Sequence, residues 1–260
     1  MRMQTCKGWI GAALRKVAVG VAVALLAGIL TPPVSAAVLS GSLDIAPAQP
    51  ADLTASGTRD WAVWDYRQAT INNTPTAPPS NRKASVTPVI GSVTTLVGNA
   101  RGTPNSLPAM TYSYSDGVDP VTLTSSPMGI VFDSSLNNTS SGLMLDITSG
   151  AAGVPERVQL FLAGFGSTPT LTVSLPGASD YINSDVTYPA GTRPVSVYTI
   201  NFTPDHDGDL LHVLYQATSN NNSNANIDLQ AVTVAVPEPA SLGIFALGMA
   251  SLLGRRIRRP

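Results

Sequence analysis

Two short stretches of this 260-residue chain gather side chains that could do chemistry. In Asp60-Trp61-Ala62-Val63-Trp64-Asp65-Tyr66, two indoles and a phenol lie close together. Indole faces stack on the apolar faces of sugar rings, so Trp61, Trp64 and Tyr66 are candidate ligand-binding residues. On a strand, however, alternation sends Trp61, Val63 and Asp65 to one side and Trp64 and Tyr66 to the other. The two indoles then cannot form one flat platform, and anchoring a core is the competing role. In Asp205-His206-Asp207-Gly208-Asp209, carboxylates alternate along the chain, which suggests calcium. A helix-loop-helix calcium loop needs its glycine at position six and an acid at position twelve. Here Gly208 comes two residues early and position twelve is Gln216. Asp205, Asp207 and Asp209 are therefore weak metal candidates, and a hairpin turn is the simpler reading. No cofactor is expected, with calcium the one left open.

Familiar catalytic patterns are missing. The chain has no Gly-x-Ser-x-Gly elbow, no His-Glu-x-x-His and no glycine-rich phosphate loop before a helix. Its two histidines are His206 and His212, and His212, alternating with Leu211 and Val213 in a strand, faces outward or satisfies a core partner. A glycosidase needs paired carboxylates, which an acid-rich chain neither excludes nor favours. The expectation is a protein without catalysis; a glycan-active enzyme is the alternative, a calcium-dependent adhesion module another.

Positioning falls to strands. Val158, Leu160 and Leu162 share one face of their segment; Leu171, Val173 and Leu175 do so in the next, and Leu143, Leu145 and Ile147 in an earlier one. Period two marks half-buried strands. Further strands are expected at 86–97, 111–114, 121–124, 129–133, 195–203, 209–217 and 226–234, separated by Asp-Gly, Pro-Gly and Ala-Gly turns. Residues 72–81, rich in proline, and the polar tract 219–226 read as loops. Many short strands with frequent turns argue for an all-β antiparallel sandwich.

Both ends read as processing segments. Arg2, Lys7, Arg15 and Lys16 precede an apolar run from Val17 to Leu30, then Val34-Ser35-Ala36-Ala37, a signal peptide with its cut after Ala36 or after Ala37. The single cysteine, Cys6, lies in this leader, so the mature chain holds no disulfide. At the other end come Pro237-Glu238-Pro239, an apolar run from Ala240 to Gly254, then Arg255, Arg256, Arg258 and Arg259 as a membrane stop. The prolines keep Glu238 extended, as a protease requires. Between these ends, residues 37–236 hold seven basic and fifteen acidic residues, a net charge of −8. Nucleic acid, which needs Lys and Arg against its phosphates, is excluded as a partner; divalent cations and neutral sugars are not.

The tail closely resembles the PEP-CTERM sorting signal of Gram-negative bacteria. That resemblance implies recognition by an exosortase and a transient anchor in the inner membrane through the C-terminal helix. It also implies delivery to the cell surface or an extracellular matrix rich in exopolysaccharide. The body resembles an exported bacterial module with a galactose-binding-like jelly roll, over roughly residues 57–235. The motifs are Asp60-Trp61 with Trp64, Arg82-Lys83, Tyr114-Ser115-Asp116-Gly117 and Asn226-Ile227-Asp228-Leu229-Gln230-Ala231. Departures are Asp65, where a glycine is usual, and the insertion at 72–81. The expected organisation is a signal peptide (1–36), a strand and lead-in (37–56), a jelly-roll sandwich (57–235) and a sorting signal with a transmembrane helix (236–260). The expected function is structural or adhesive, with polysaccharide as the candidate ligand.

Overall fold

Alternation in the C-terminal half builds two stacked sheets, and a third, smaller layer covers one of them. The computed structural model describes residues 36–66, 74–102 and 110–237. The expected leader up to Ser35, the tail residues Glu238, Pro239, Arg255, Arg256, Arg258 and Arg259, and the C-terminal apolar run lie outside the described residues. Among the described residues no helix is long and apolar enough to cross a membrane.

In chain order the elements are β1 (Val38–Asp44), β2 (Ala51–Asp52), α1 (Leu53–Ser56), β3 (Asp60–Val63), β4 (Thr76–Ala77), β5 (Asn81–Arg82), β6 (Val93–Thr95), β7 (Ala100–Arg101) and β8 (Thr111–Tyr114). There follow β9 (Leu123–Pro127), β10 (Val131–Asp133), β11 (Gly142–Thr148), β12 (Glu156–Phe165), β13 (Ser167–Ser174), β14 (Tyr181–Asn183), β15 (Ser196–Thr203), β16 (Leu210–Asn220) and β17 (Asn226–Ala235).

The front sheet runs β14-β13-β16-β11-β6-β4 and the central sheet β1-β15-β12-β17. Along its far edge β17 pairs with β10 at Leu229 and Asp228, and with β3 from Ala231 to Val234. From β11 onward the long strands alternate between the two sheets, so each connection crosses the core. Leu143, Leu145, Ile147, Leu171 and Val173 from the front sheet meet Leu160, Leu162, Ile200, Val232 and Val234 from the central one. The polar partners of that alternation face outward: His212 is exposed and lies 2.7 Å from the Asp146 carboxylate across β11 and β16.

The central sheet is buried on its other side too. β2, β8 and β9 form a small sheet that, with the single turn α1, packs Leu53, Met110, Tyr112 and Met128 onto Trp61, Val63, Phe161, Val197 and Ala231. Every residue of β17 is consequently buried. Such a strand cannot show polar-out alternation.

Several expectations need correction. The loop at 72–81 contains the edge strand β4 and ends in β5; its prolines flank a two-residue pairing at the margin of the front sheet, where a missing donor is tolerated. The tract at 219–226 begins within β16. Of residues 86–97 only Val93–Thr95 is strand, plus a bridge from Ile90 to Ile147; the amides of Val89 and Ile90 donate instead to the Asp60 carboxylate (2.9 and 3.2 Å).

Burial on both faces strands polar groups. Asp228 of β17 is fully enclosed and paired with Arg193, which also donates to Asn226 Oδ1 (2.9 Å). Burial pushes the Asp228 carboxyl up to about 6 against the opposing pull of Arg193. A raised carboxyl holds its proton more tightly in the folded chain than in the unfolded one. Its stabilising contribution is therefore complete below about 4, the unfolded value, and declines as pH rises through the folded value.

Two predictions follow from this packing. Trp64→Ala empties a buried indole site and removes the Nε1 bond to Ala77 O (3.1 Å), so urea unfolding should register a loss of about 3–5 kcal/mol. Arg193→Leu leaves the Asp228 charge without its partner and should cost about 3–5 kcal/mol near neutral pH. That deficit should shrink at about pH 5, where the carboxyl takes up a proton. Parallel urea titrations at the two pH values measure it; equal deficits would contradict the assignment.

Candidate functional site

Trp61 and Trp64 go to opposite faces of β3 and its extension, as alternation requires, and both are fully buried. Trp61 belongs to the core under the small sheet and Trp64 to the core between the two large sheets. Neither indole has a free face for a sugar ring, which corrects the stacking role proposed for this pair. Tyr66 is partly buried and its hydroxyl donates to Pro78 O, closing the loop at 74–81.

The acidic stretch at 205–209 is a turn but not the expected hairpin: it joins β15 of the central sheet to β16 of the front sheet, and these two strands do not pair. The Asp209 carboxylate accepts from the amides of Asp205 (3.2 Å) and His206 (2.9 Å), and Asp207 accepts from Ala152 N (2.8 Å). Those lone pairs serve the turn. Among the described residues no group of three His, Cys, Asp or Glu side chains converges as a metal site would require.

Three of the motifs that carried the resemblance in the body, at Trp61, Lys83 and Asp116, meet at one carboxylate. Asp116 accepts from Trp61 Nε1 (2.8 Å) and Thr54 Oγ1 (2.6 Å) and pairs with Lys83 Nζ (2.7 Å). Lys83 Nζ also donates to Gly57 O (3.0 Å), and its amide donates to Trp61 O (3.0 Å). Tyr114 packs on the Trp61 ring at a centroid distance of 4.6 Å. From β17, Gln230 accepts from the Tyr112 hydroxyl (2.6 Å) and donates to Met128 O (3.2 Å). Burial alone would raise the Asp116 carboxyl; the hydrogen bonds from Lys83, Thr54 and Trp61 outweigh it and hold the carboxyl below its ordinary range. Its contribution to the fold is then present above about 4 and fades as pH falls through the lowered value.

The small layer does not cover the whole central sheet. Where it stops, a cleft of about 320 Å3 opens between β1, β15 and β12 on one side and the lead-in, β2 and α1 on the other. Phe161, Val197 and Met110 form its apolar floor; Asp44, Asp52, Ser56, Gln159 and Thr199 supply polar walls, and Pro47 and Pro50 a stiff rim. The Asp44 carboxylate accepts from Ala46 N (2.9 Å), and Asp52 caps α1 by accepting from Ala55 N (3.0 Å). Each holds one oxygen in a local turn.

Beyond the cleft the outer face of the central sheet continues as polar rows set by register. Ser42, Thr199, Gln159 and Thr233 lie in one row, and Ser40, Asn201 and Arg157 in the next. Two buried polar atoms in these rows, Arg157 Nε and Thr233 Oγ1, have no hydrogen-bond partner among the described residues. Sequence reasoning missed this face. Its signal was Phe161, an apolar residue on the side of β12 opposite Val158, Leu160 and Leu162, which marks a face only partly given to solvent.

A family model described as "PEP-CTERM protein-sorting motif" matches residues 235–259. No curated protein matches the chain. The motif identifies an exported protein recognised by an exosortase and held at a membrane until it is processed.

The Asp116 node gives its own prediction. Asp116→Ala leaves Trp61 Nε1 and Lys83 Nζ without their shared acceptor and should lower stability by about 1–3 kcal/mol. Thermal melts followed by tryptophan fluorescence would detect it, and an unchanged melt would mean that the small layer is held by packing alone.

Proposed function

We propose that this chain is a non-catalytic protein of the cell surface or extracellular matrix that binds neutral polysaccharide through the cleft on its central sheet. The observation that carries the reading is the cleft's composition: an apolar floor of Phe161 and Val197 walled by Asp44, Asp52, Ser56, Gln159 and Thr199. A sugar ring has an apolar face and a rim of hydroxyls. Carboxylates accept from vicinal hydroxyls while amide and hydroxyl side chains donate or accept, and a few such polar groups on an apolar floor fix a ligand's orientation. The body's charge of −8 disfavours polyanions and leaves uncharged glycans as the matching class.

The body is read as a jelly roll. Supporting this are the sheet-to-sheet alternation from β11 to β17 and the antiparallel pairing in both large sheets. The fold by itself assigns no function. Against catalysis stands the chemistry of the cleft. A glycosidase needs a carboxylic acid kept protonated near neutral pH. The carboxyl that burial drives upward, Asp228, is paired with Arg193 and does not line the cleft. Calcium-dependent adhesion is the less favoured reading, because Asp207 and Asp209 already serve backbone amides.

Electrophoresis through gels containing the producing organism's exopolysaccharide tests the binding reading. Native protein should be retarded, and Gln159→Ala with Asp44→Ala should release most of the retardation, since both side chains border the cleft without supporting the core. Equal mobility with and without polysaccharide would remove the glycan and leave a structural role.

A further inference from the structure

Both ends of the described body leave from the same end of the central sheet. Register places Val38 opposite Thr203, Glu156 opposite Phe202 and Arg157 opposite Ala235. The first residues of β1 and β12 therefore lie beside the last residues of β15 and β17. A depression of about 100 Å3 is lined there by Val38, Ser40, Pro155, Asn201, Thr203 and Pro237, among others. Pro237 is the first proline of the sorting motif, so the motif starts in contact with the folded body.

This end carries a group of exposed apolar residues beside the polar Ser40, Asn201 and Thr203. Val38 is 54% exposed, Val236 42% and Val154 36%, and Pro155 and Pro237 complete the patch. Its border carries both signs: Arg157 shares a row with Asn201 and Ser40 and lies opposite Ala235, and carboxylates approach from the other side. A Cβ added at Gly177 would meet Asp205 Oδ2 at 3.0 Å and Ala37 Cβ at 3.2 Å, which sets the 205–209 turn against the start of β1. Asp207, holding Ala152 N, brings a second carboxylate beside Val154.

Chain length decides what meets this surface. From Ala235, the last residue of β17, four residues (236–239) precede the apolar run that begins at Ala240. Fully extended, four residues reach at most about 14 Å. A protease that cuts in this motif while the tail is in the bilayer must therefore work within about 14 Å of the end of β17, beside Val38, Val154 and Pro155. The enzyme that cuts the sorting motif is thus the surface that chain length brings to this face.

We propose that this end face, formed by Val38, Ser40, Val154, Pro155, Val236 and Pro237, docks on the exosortase during processing. The enzyme then reads part of the folded body along with the motif. The inference rests on the reading of this chain as an exosortase substrate. It also assigns an orientation. Asp44 lies six residues along β1 from Val38, about 20 Å at strand rise, so the cleft opens away from the processed end.

The test follows full-length chain co-expressed with its exosortase, measuring the rate at which precursor becomes processed product. Val154→Asp and Ser40→Arg should each slow processing by about three- to tenfold, the effect expected when a contact worth roughly 1 kcal/mol is lost. Val118→Asp with Val121→Asp, an exposed apolar pair elsewhere, should process at the native rate. Limited proteolysis checks that each precursor stays folded; Ser40, exposed on the outer face, keeps the test decisive if Val154→Asp does not. Glu238→Ala separates the two readings. If it blocks processing while both end-face variants process normally, the docking face is overturned and the sorting role stands. If Glu238→Ala also processes normally, the sorting role fails and the docking face with it.

Discussion

A β-sheet buried on both faces must have a layer on each, and this body depends on how the second layer is attached. β17 is enclosed along its whole length, with the front sheet on one side and β2, α1, β8 and β9 on the other. The small layer is too short to hold itself together: β2 has two residues and α1 a single turn. It is fixed by bonds to the central sheet, chiefly the Asp116 carboxylate that gathers Trp61, Thr54 and Lys83. The Tyr112–Gln230 bond adds an attachment from β17. The tryptophan that looked like a ligand contact is the anchor of this joint.

Incomplete coverage is what gives the central sheet a usable surface. Were the small layer broader, Gln159 and Thr199 would be core positions and would have to be apolar. Because it stops at Met110 and Ser56, the same strands carry an apolar residue under the layer and a polar one beyond it, as with Phe161 and Gln159 on β12. The cleft is the step between the two regimes. β1 spans from that step to the end where the sorting motif begins, so one strand links the candidate binding surface to the processed terminus.

How much could be read from sequence varied with the locality of the signal. β11, β13 and β16 have one face in the core and one in solvent, and their alternation placed them within a few residues. For β17 the strand was legible but its double burial was not, although Asp228, Gln230 and Thr233 already marked a strand that could not be simply half-exposed. In the small layer β8 and β9 are legible at 111–114 and near 121–124, but the addition of β2 is not, because its pairing is non-local and brief: Ala51 and Asp52 run parallel to Tyr112 and Ser113, with most of the N-terminal half between them. The cleft depends on that layer's boundary, so no single segment encodes it. The motifs at Trp61, Lys83 and Asp116 meet in the structure at one place, and their role there is architectural.

The central claim is that the uncovered part of the central sheet is the face this protein offers to its ligand. Hydrogen–deuterium exchange of the full chain, with and without uncharged oligosaccharide fragments of the matrix polysaccharide, addresses it directly. The account predicts added protection in the amides around Asp44 to Asp52, at Gln159 and at Thr199, with the outer face of the front sheet unchanged. Protection centred on Met144, His212 and Leu214 instead, or none on any strand, would contradict it.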